Sequence, residues 1–156
     1  MAQTTAYEVV EKDVPAMLVA SVTEHVPLTE AGSVIPDAFR MLMEVVAPIG
    51  YGSGMPGVVY HEMDPLRPGD IEVFMPVKEG FDPPPGVSVR TFEATHAVST
   101  MHRGPYDQVG RAYEALTTWL AEHRKEPVGP PRELYLNDPN EVGMQEALTE
   151  IDWPVG

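Results

Sequence analysis

Two kinds of apolar spacing alternate along the chain and set out its elements. Ala16 to Val22 is a nearly continuous apolar run behind Pro15, after weak alternation from Tyr7 to Val10, and it predicts a strand. A polar stretch, Thr23 to Gly32, leads to Ile35–Ala47. There Phe39, Leu42, Met43 and Val46 recur at i, i+3, i+4 and i+7, the spacing of one helix face. Pro48 and Gly50 stop this helix, and Gly50 to Gly57 predicts a loop. Val58–Glu62 and Ile71–Val77 read as strands joined by Asp64-Pro65 and Arg67-Pro68-Gly69-Asp70 turn residues. Lys78 to Gly86, with Pro83, Pro84 and Pro85 in succession, reads as a linker.

The same order then recurs. Val87–Glu93 and Ala97–His102 predict strands, and Asp107 can cap a helix running to about Arg124 with Val109, Ala112, Tyr113, Leu116 and Leu120 on one face. A Pro/Gly-rich loop from Pro127 to Pro131 precedes the strand Glu133–Leu136, Asp138-Pro139 turns the chain, and Leu148–Val155 is the last strand. Phe39 and Leu42 match Tyr113 and Leu116 at a shift of 74, Tyr60 matches Tyr135 at 75, and Glu72–Val77 matches Glu150–Val155 at 78. Two Tyr…Asp-Pro turns and two Glu-x-x-x-Pro-Val strand ends, in order, point to a duplication. The expected fold is α+β: one domain over 1–156, built as a pseudo-twofold tandem of β–α–β–β units. The units cover about 7–78 and 87–155, with 79–86 between them. Their helices flank a ligand groove on an antiparallel sheet.

Composition narrows the chemistry. The 156 residues carry 10 Lys and Arg against 24 Asp and Glu, a formal charge of −14 spread through both halves. Such a surface repels phosphate, so direct nucleic-acid binding is not expected. The absence of cysteine excludes disulfide scaffolds, thiolate metal sites and thiol nucleophiles. No run approaches 18 apolar residues, so no membrane span is expected, and Met1–Thr5 lacks the pattern of a secretory signal; the reading is a cytoplasmic protein. His25, His61, His96, His102 and His123 show no ligand spacing, so neither metal nor other cofactor is expected. The serines lack a G-x-S-x-G elbow, and Gly50–Gly54 follows a helix and has no phosphate-binding Lys.

Aromatic residues and one carboxylate are more informative. Tyr106, Tyr113, Trp119, Tyr135 and Trp153 gather in the second half, with Phe39, Tyr60 and Met75 in the first. Packing explains many such residues, but several Tyr rings around one groove would suit a flat or cationic ligand. Alternation places Glu133 and Tyr135 on one strand face, and the repeat partner of Glu133 is apolar Val58, which implies a buried position. A carboxylate there would have a raised pKa and could serve as a counter-charge or general base.

The strings His102-Arg103-Gly104-Pro105-Tyr106-Asp107, Ala112-Tyr113-x-Ala115-Leu116-x-x-Trp119-Leu120, Gly129 to Pro139 and Thr149 to Val155 resemble the GyrI-like family, as does Gly54–Tyr60. This family comprises effector-binding domains of multidrug-responsive bacterial transcription regulators and a gyrase-inhibitor protein. The resemblance runs from about Tyr7 to Val155 and implies a groove for lipophilic, often aromatic cations. Glu133 would be its buried acid, with Tyr135, Tyr106, Tyr113, Trp153, Trp119, Phe39 and Met75 around the ligand. It equally implies a drug- or xenobiotic-sensing or sequestering role. A second implied reading is hydrolysis of cyclopropane-bearing xenobiotics, with Glu133 activating water. A third is action on a protein partner, gyrase or a separate regulator. No helix-turn-helix segment precedes the matching region, so direct transcriptional control is not expected.

Overall fold

The computed structural model describes residues 7–156, so the Met1–Thr5 stretch read above for a signal lies outside the described residues. Eight strands form one antiparallel sheet: β1 (Val10–Val14), β2 (Met17–Pro27), β3 (Gly57–Tyr60), β4 (Pro68–Pro76), β5 (Ser88–Phe92), β6 (Thr95–Arg103), β7 (Arg132–Tyr135) and β8 (Leu148–Pro154). Two helices, α1 (Ala31–Val46) and α2 (Gly110–Glu122), pack on one face, and a single turn of helix, α3 (Pro139–Val142), follows the Asp138 cap. α1 buries Ala38, Leu42 and Val46 against Ala20, Val22, Val58, Ile71 and Val73. α2 buries Ala112, Leu116 and Leu120 against Val98, Ile151 and Val155. The mixed α+β architecture is therefore the one expected.

The strand order β1-β6-β8-β7-β3-β4-β2-β5 reads the same from either edge when each strand is exchanged for the one four places on. Register follows suit. Val19 faces Pro76 as Ala97 faces Pro154, Tyr60 faces Ile71 as Tyr135 faces Thr149, and β3 meets β7 with Val58 opposite Glu133. Several details differ from the sequence reading. Asp107 lies in a 3₁₀ turn, Tyr106–Gln108, ahead of α2, and no side chain caps that helix. The expected first strands do not stay with their own halves: β1 pairs with β6, and β5 pairs with β2, so each half contributes an outer strand to the other. The polar stretch Thr23 to Gly32 is not all loop either. β2 continues to Pro27 against Pro68, and a 3₁₀ turn at Leu28–Glu30 feeds α1 four residues earlier than the periodicity indicates. Thr23–His25 are exposed on a ladder that has run past the core, so no hydrophobic pattern marks them. Pro36 lies inside α1, where its missing N–H leaves the carbonyl of exposed Gly32 to solvent.

The sheet face away from the helices carries a second small core of Val19, Val59, Phe74 and Phe92. It also holds paired charges. Arg90 donates from Nε to Glu72 Oε2 at 2.8 Å, and His61 lies 2.9 Å from the same carboxylate; these donors hold Glu72 at about 2 against the opposing effect of burial. In the other half Lys12 meets Glu150 at 2.7 Å. Lys12 comes from β1 and Arg90 from β5, so each outer strand is fastened to the other half by an ion pair. Asp152, between these pairs, accepts a hydrogen bond from Ser99 at 2.7 Å, while its second oxygen has no hydrogen-bond partner among the described residues. Burial, followed by neighbouring Glu150, pushes Asp152 up to about 7 despite Ser99 and Lys12.

Two outcomes follow from this packing. At Gly57, a Cβ would stand 1.9 Å from the Glu133 carbonyl oxygen and 2.8 Å from the Phe74 ring. Gly57→Ala should therefore force β3 and β7 apart at a cost of about 3 kcal/mol, the upper part of the overpacking range. Thermal unfolding should show a Tm lower by roughly 6–12 °C. The second outcome concerns pH. A carboxyl that is harder to ionise when folded takes up a proton on folding between its unfolded and folded pKa values, so stability falls as pH rises from about 4 to about 7. Denaturant titrations should find the protein more stable at pH 5 than at pH 7.5. Asp152→Asn should flatten that dependence, and an unchanged slope in the variant would remove Asp152 as its source.

Candidate ligand site

The site is built where β3 and β7 pair at the middle of the sheet. Because side chains alternate along a strand, Glu133 and Tyr135 both point to the helix face while Arg132 and Leu134 point away. Glu133 is 5% exposed, and its partner across the pair is fully buried Val58. Both carboxylate oxygens are held by phenols. Tyr113, on the inner face of α2, donates its hydroxyl to Oε2 at 2.7 Å, and Tyr135 donates to Oε1 at 2.9 Å. Among the described residues, no Lys, Arg or His forms an ion pair with Glu133.

Electrostatics follow from that shell. Burial raises the Glu133 pKa, and the hydroxyls of Tyr113 and Tyr135 pull it back only in part. The same burial, followed by the charge of Glu133, pushes the Tyr113 and Tyr135 hydroxyls well above their ordinary range, so they act as donors and do not ionise. Tyr60, on β3, is raised by burial first and Glu133 next, with an interaction from Tyr135 working the other way. The sequence reading counted Tyr60 in the repeat and among the aromatic residues but did not place it among the ligand residues. Its match to Tyr135 in the sequence was the available signal, and the two sit on the neighbouring strands β3 and β7.

Further rings extend the shell outward. Tyr106, 37% exposed at the end of the Gly104–Pro105 turn, lies tilted against Tyr135 with centroids 5.3 Å apart. Phe39 from α1 meets Tyr135 edge-on at 5.8 Å, and Trp153 meets Tyr113 edge-on at 6.0 Å while its indole N–H donates to the Gly129 carbonyl. Of the residues expected at the site, the structure thus brings together Glu133, Tyr135, Tyr106, Tyr113, Trp153 and Phe39. Two others stand elsewhere. Trp119 is six residues beyond Tyr113, about 240° further round the helix, and stacks on His123 at 3.9 Å. Met75 is buried in the core beneath α1, part of the packing against which Phe39 and Tyr135 rest. The arrangement sets one poorly solvated carboxylate among several aromatic rings.

Comparison with known proteins bears on the whole chain. The C-terminal domain of EcmrR shares the fold with a TM-score of 0.81 and 24% identity, covering 96% of this chain and 98% of that one. A hydrolase from Listeria innocua aligns at a TM-score of 0.68 and 14% identity, over 96% of this chain and 92% of its own. SAV2435, in a structure bound to tetraphenylphosphonium, aligns at 0.66 and 14%, over 97% and 94%. No curated protein matches by sequence. The model of the GyrI-like small molecule binding domain matches residues 7–155, nearly the full chain, and the protein belongs to that family.

Proposed function

We propose that this domain binds lipophilic, aromatic cations in the groove around Glu133, as a sensing or sequestering module for drugs or other xenobiotics. The observation that carries this reading is a carboxylate 5% exposed that is held by two phenol hydroxyls and by no cation among the described residues. Taking a carboxylate out of water costs several kcal/mol. Phenol hydrogen bonds offset only part of this, as the raised pKa of Glu133 indicates. A cation entering the shell restores the missing partner in a medium of low effective dielectric, where the attraction is strong. The faces of Tyr106, Tyr113, Tyr135 and Trp153 favour positive charge as well. A large onium ion, whose own hydration is weak, gives up least on entry. The tetraphenylphosphonium bound to SAV2435 is an ion of this kind.

The two halves support the assignment by their difference. We infer that they are copies of one unit, spanning about 7–78 and 87–155, because strand order and register correspond throughout. At the central pair one copy has Val58 with Phe39 and the other has Glu133 with Tyr113. The hydroxyl accompanies the carboxylate, and the half without the acid has a ring without a donor. At this point one half carries a carboxylate and its hydroxyl donor where the other is apolar.

A second reading has its own support. A buried carboxylate of raised pKa, oriented by two hydroxyls, can also take a proton from water while that water attacks an electrophilic cyclopropane carbon and a ring C–C bond breaks. The Listeria innocua hydrolase shares this fold. The substitution Glu133→Gln separates the two readings. For a binding module, affinity for tetraphenylphosphonium should weaken by about 2–5 kcal/mol, the range for removing one partner of a buried charge pair, while neutral aromatic ligands bind as before. For a hydrolase, binding should survive while turnover of a cyclopropane-bearing substrate drops roughly 100- to 10,000-fold, the span of general-base catalysis. Equal affinity for neutral and cationic analogues of one dye in the unmodified protein would end the cation reading.

A further inference from the structure

One buried titratable side chain takes no part in the site as described. His102 is 2% exposed, and both ring nitrogens are engaged. Nε2 lies 2.9 Å from the Pro105 carbonyl oxygen, which can only accept, so Nε2 carries the hydrogen; Nδ1 then accepts from the Tyr7 hydroxyl, also at 2.9 Å. The Tyr7 ring stacks on the imidazole, with centroids 6.0 Å apart and planes 21° from parallel. A histidine held on three sides has a fixed tautomer and orientation. Its one donated hydrogen bond goes into a turn.

That turn leads straight to the site. Gly104 adopts φ +131°, a conformation that side chains rarely take, and its N–H donates to the Ala147 carbonyl at 2.9 Å. Pro105 follows, and then Tyr106, whose ring lies against Tyr135. His102 itself stays back from the ligand groove: it faces Thr149, which faces Tyr135, so two strand spacings separate it from the ring. Two strand spacings are about 9.5 Å. Its influence on a ligand must therefore pass through the turn. Tyr106 is the most exposed ring of the site, and no hydrogen bond from its own side chain anchors it among the described residues. The ring follows a turn whose Pro105 carbonyl is met by His102.

We propose that His102 is a positioning residue of the ligand site, fixing through the Pro105 carbonyl the turn that sets Tyr106 over Tyr135 and so the size of cation that the groove retains. The proposal rests on the cation-binding reading. Tyr7 acts at one remove by keeping the acceptor side of the imidazole occupied, so that the donor side stays aimed at Pro105.

The test is a double-mutant cycle read by tetraphenylphosphonium affinity. His102→Leu should weaken binding roughly 3- to 10-fold, the worth of one aromatic contact. In a Tyr106→Ala background the same substitution should change nothing, because the ring it positions is gone. His102→Gln, whose side-chain amide reaches as far as Nε2, should restore most of the affinity. Benzyltrimethylammonium, a smaller ion with less ring surface to set against Tyr106, should lose less affinity than tetraphenylphosphonium in each variant. If His102→Leu does not fold, His102→Asn carries the same cycle, since its amide ends short of Pro105. Equal losses in both backgrounds, or equal losses for both cations, would overturn the positioning role while leaving the cation reading intact. No binding of either ion by the unmodified protein would remove the cation reading, and the positioning role with it.

Discussion

A single carboxylate buried at the centre of the sheet is the constraint around which the rest of this structure is arranged. Glu133 stands opposite Val58 where the two halves meet, at a position that packing alone would give to an aliphatic residue. Nearly everything unusual on the helix face answers to it. Tyr113 and Tyr135 supply hydroxyls, α2 is placed so that Tyr113 reaches inward, and Trp153 and Phe39 brace the rings that bear those hydroxyls. Gly57, next to Val58, lets β3 approach the Glu133 backbone closely enough for the strand pair to form. What remains is a buried carboxyl group with two hydrogen bonds and no opposite charge among the described residues, which is a poor arrangement for stability.

The other face of the same sheet carries two acids that are paired with cations. Glu72 and Glu150 each receive a cation from an outer strand contributed by the opposite half. Glu72 is thereby held well below the usual carboxylate range, whereas Glu133 is raised above it. Both are buried carboxylates in one sheet; the difference is the charge of the donors. Arg90 and Lys12 neutralise, while phenols only orient. This contrast within one molecule is the strongest internal reason to assign a ligand to Glu133 and none to Glu72.

Much of this was legible in the sequence, for identifiable reasons. The Tyr…Asp-Pro and Glu-x-x-x-Pro-Val segments lie on strands whose alternation is dictated by a buried face, so the strands themselves could be read from the sequence. Glu133 stood out because its repeat partner is Val58. The exchange of β1 and β5 was not legible, because which strand an outer segment pairs with is a tertiary choice that leaves no local pattern. The extension of β2 and the early start of α1 lie beyond the core, where polar residues carry no periodicity. Trp119 was grouped with the site rings on composition, although its spacing from Tyr113 already put it on another side of α2. The role of His102 needed coordinates, since it depends on one ring nitrogen meeting a backbone carbonyl three residues on.

The cation reading has Glu133 lacking an opposite charge, among the described residues, until a cation arrives. It is tested most directly by carboxyl-carbon NMR of Glu133, titrated with pH in the free protein and again with saturating tetraphenylphosphonium. The Glu133→Gln protein identifies the resonance. The account predicts a midpoint above the ordinary glutamate range in the free protein and a clear fall when the cation binds. An ordinary midpoint in the free protein, or one that the bound cation leaves unmoved, would contradict it.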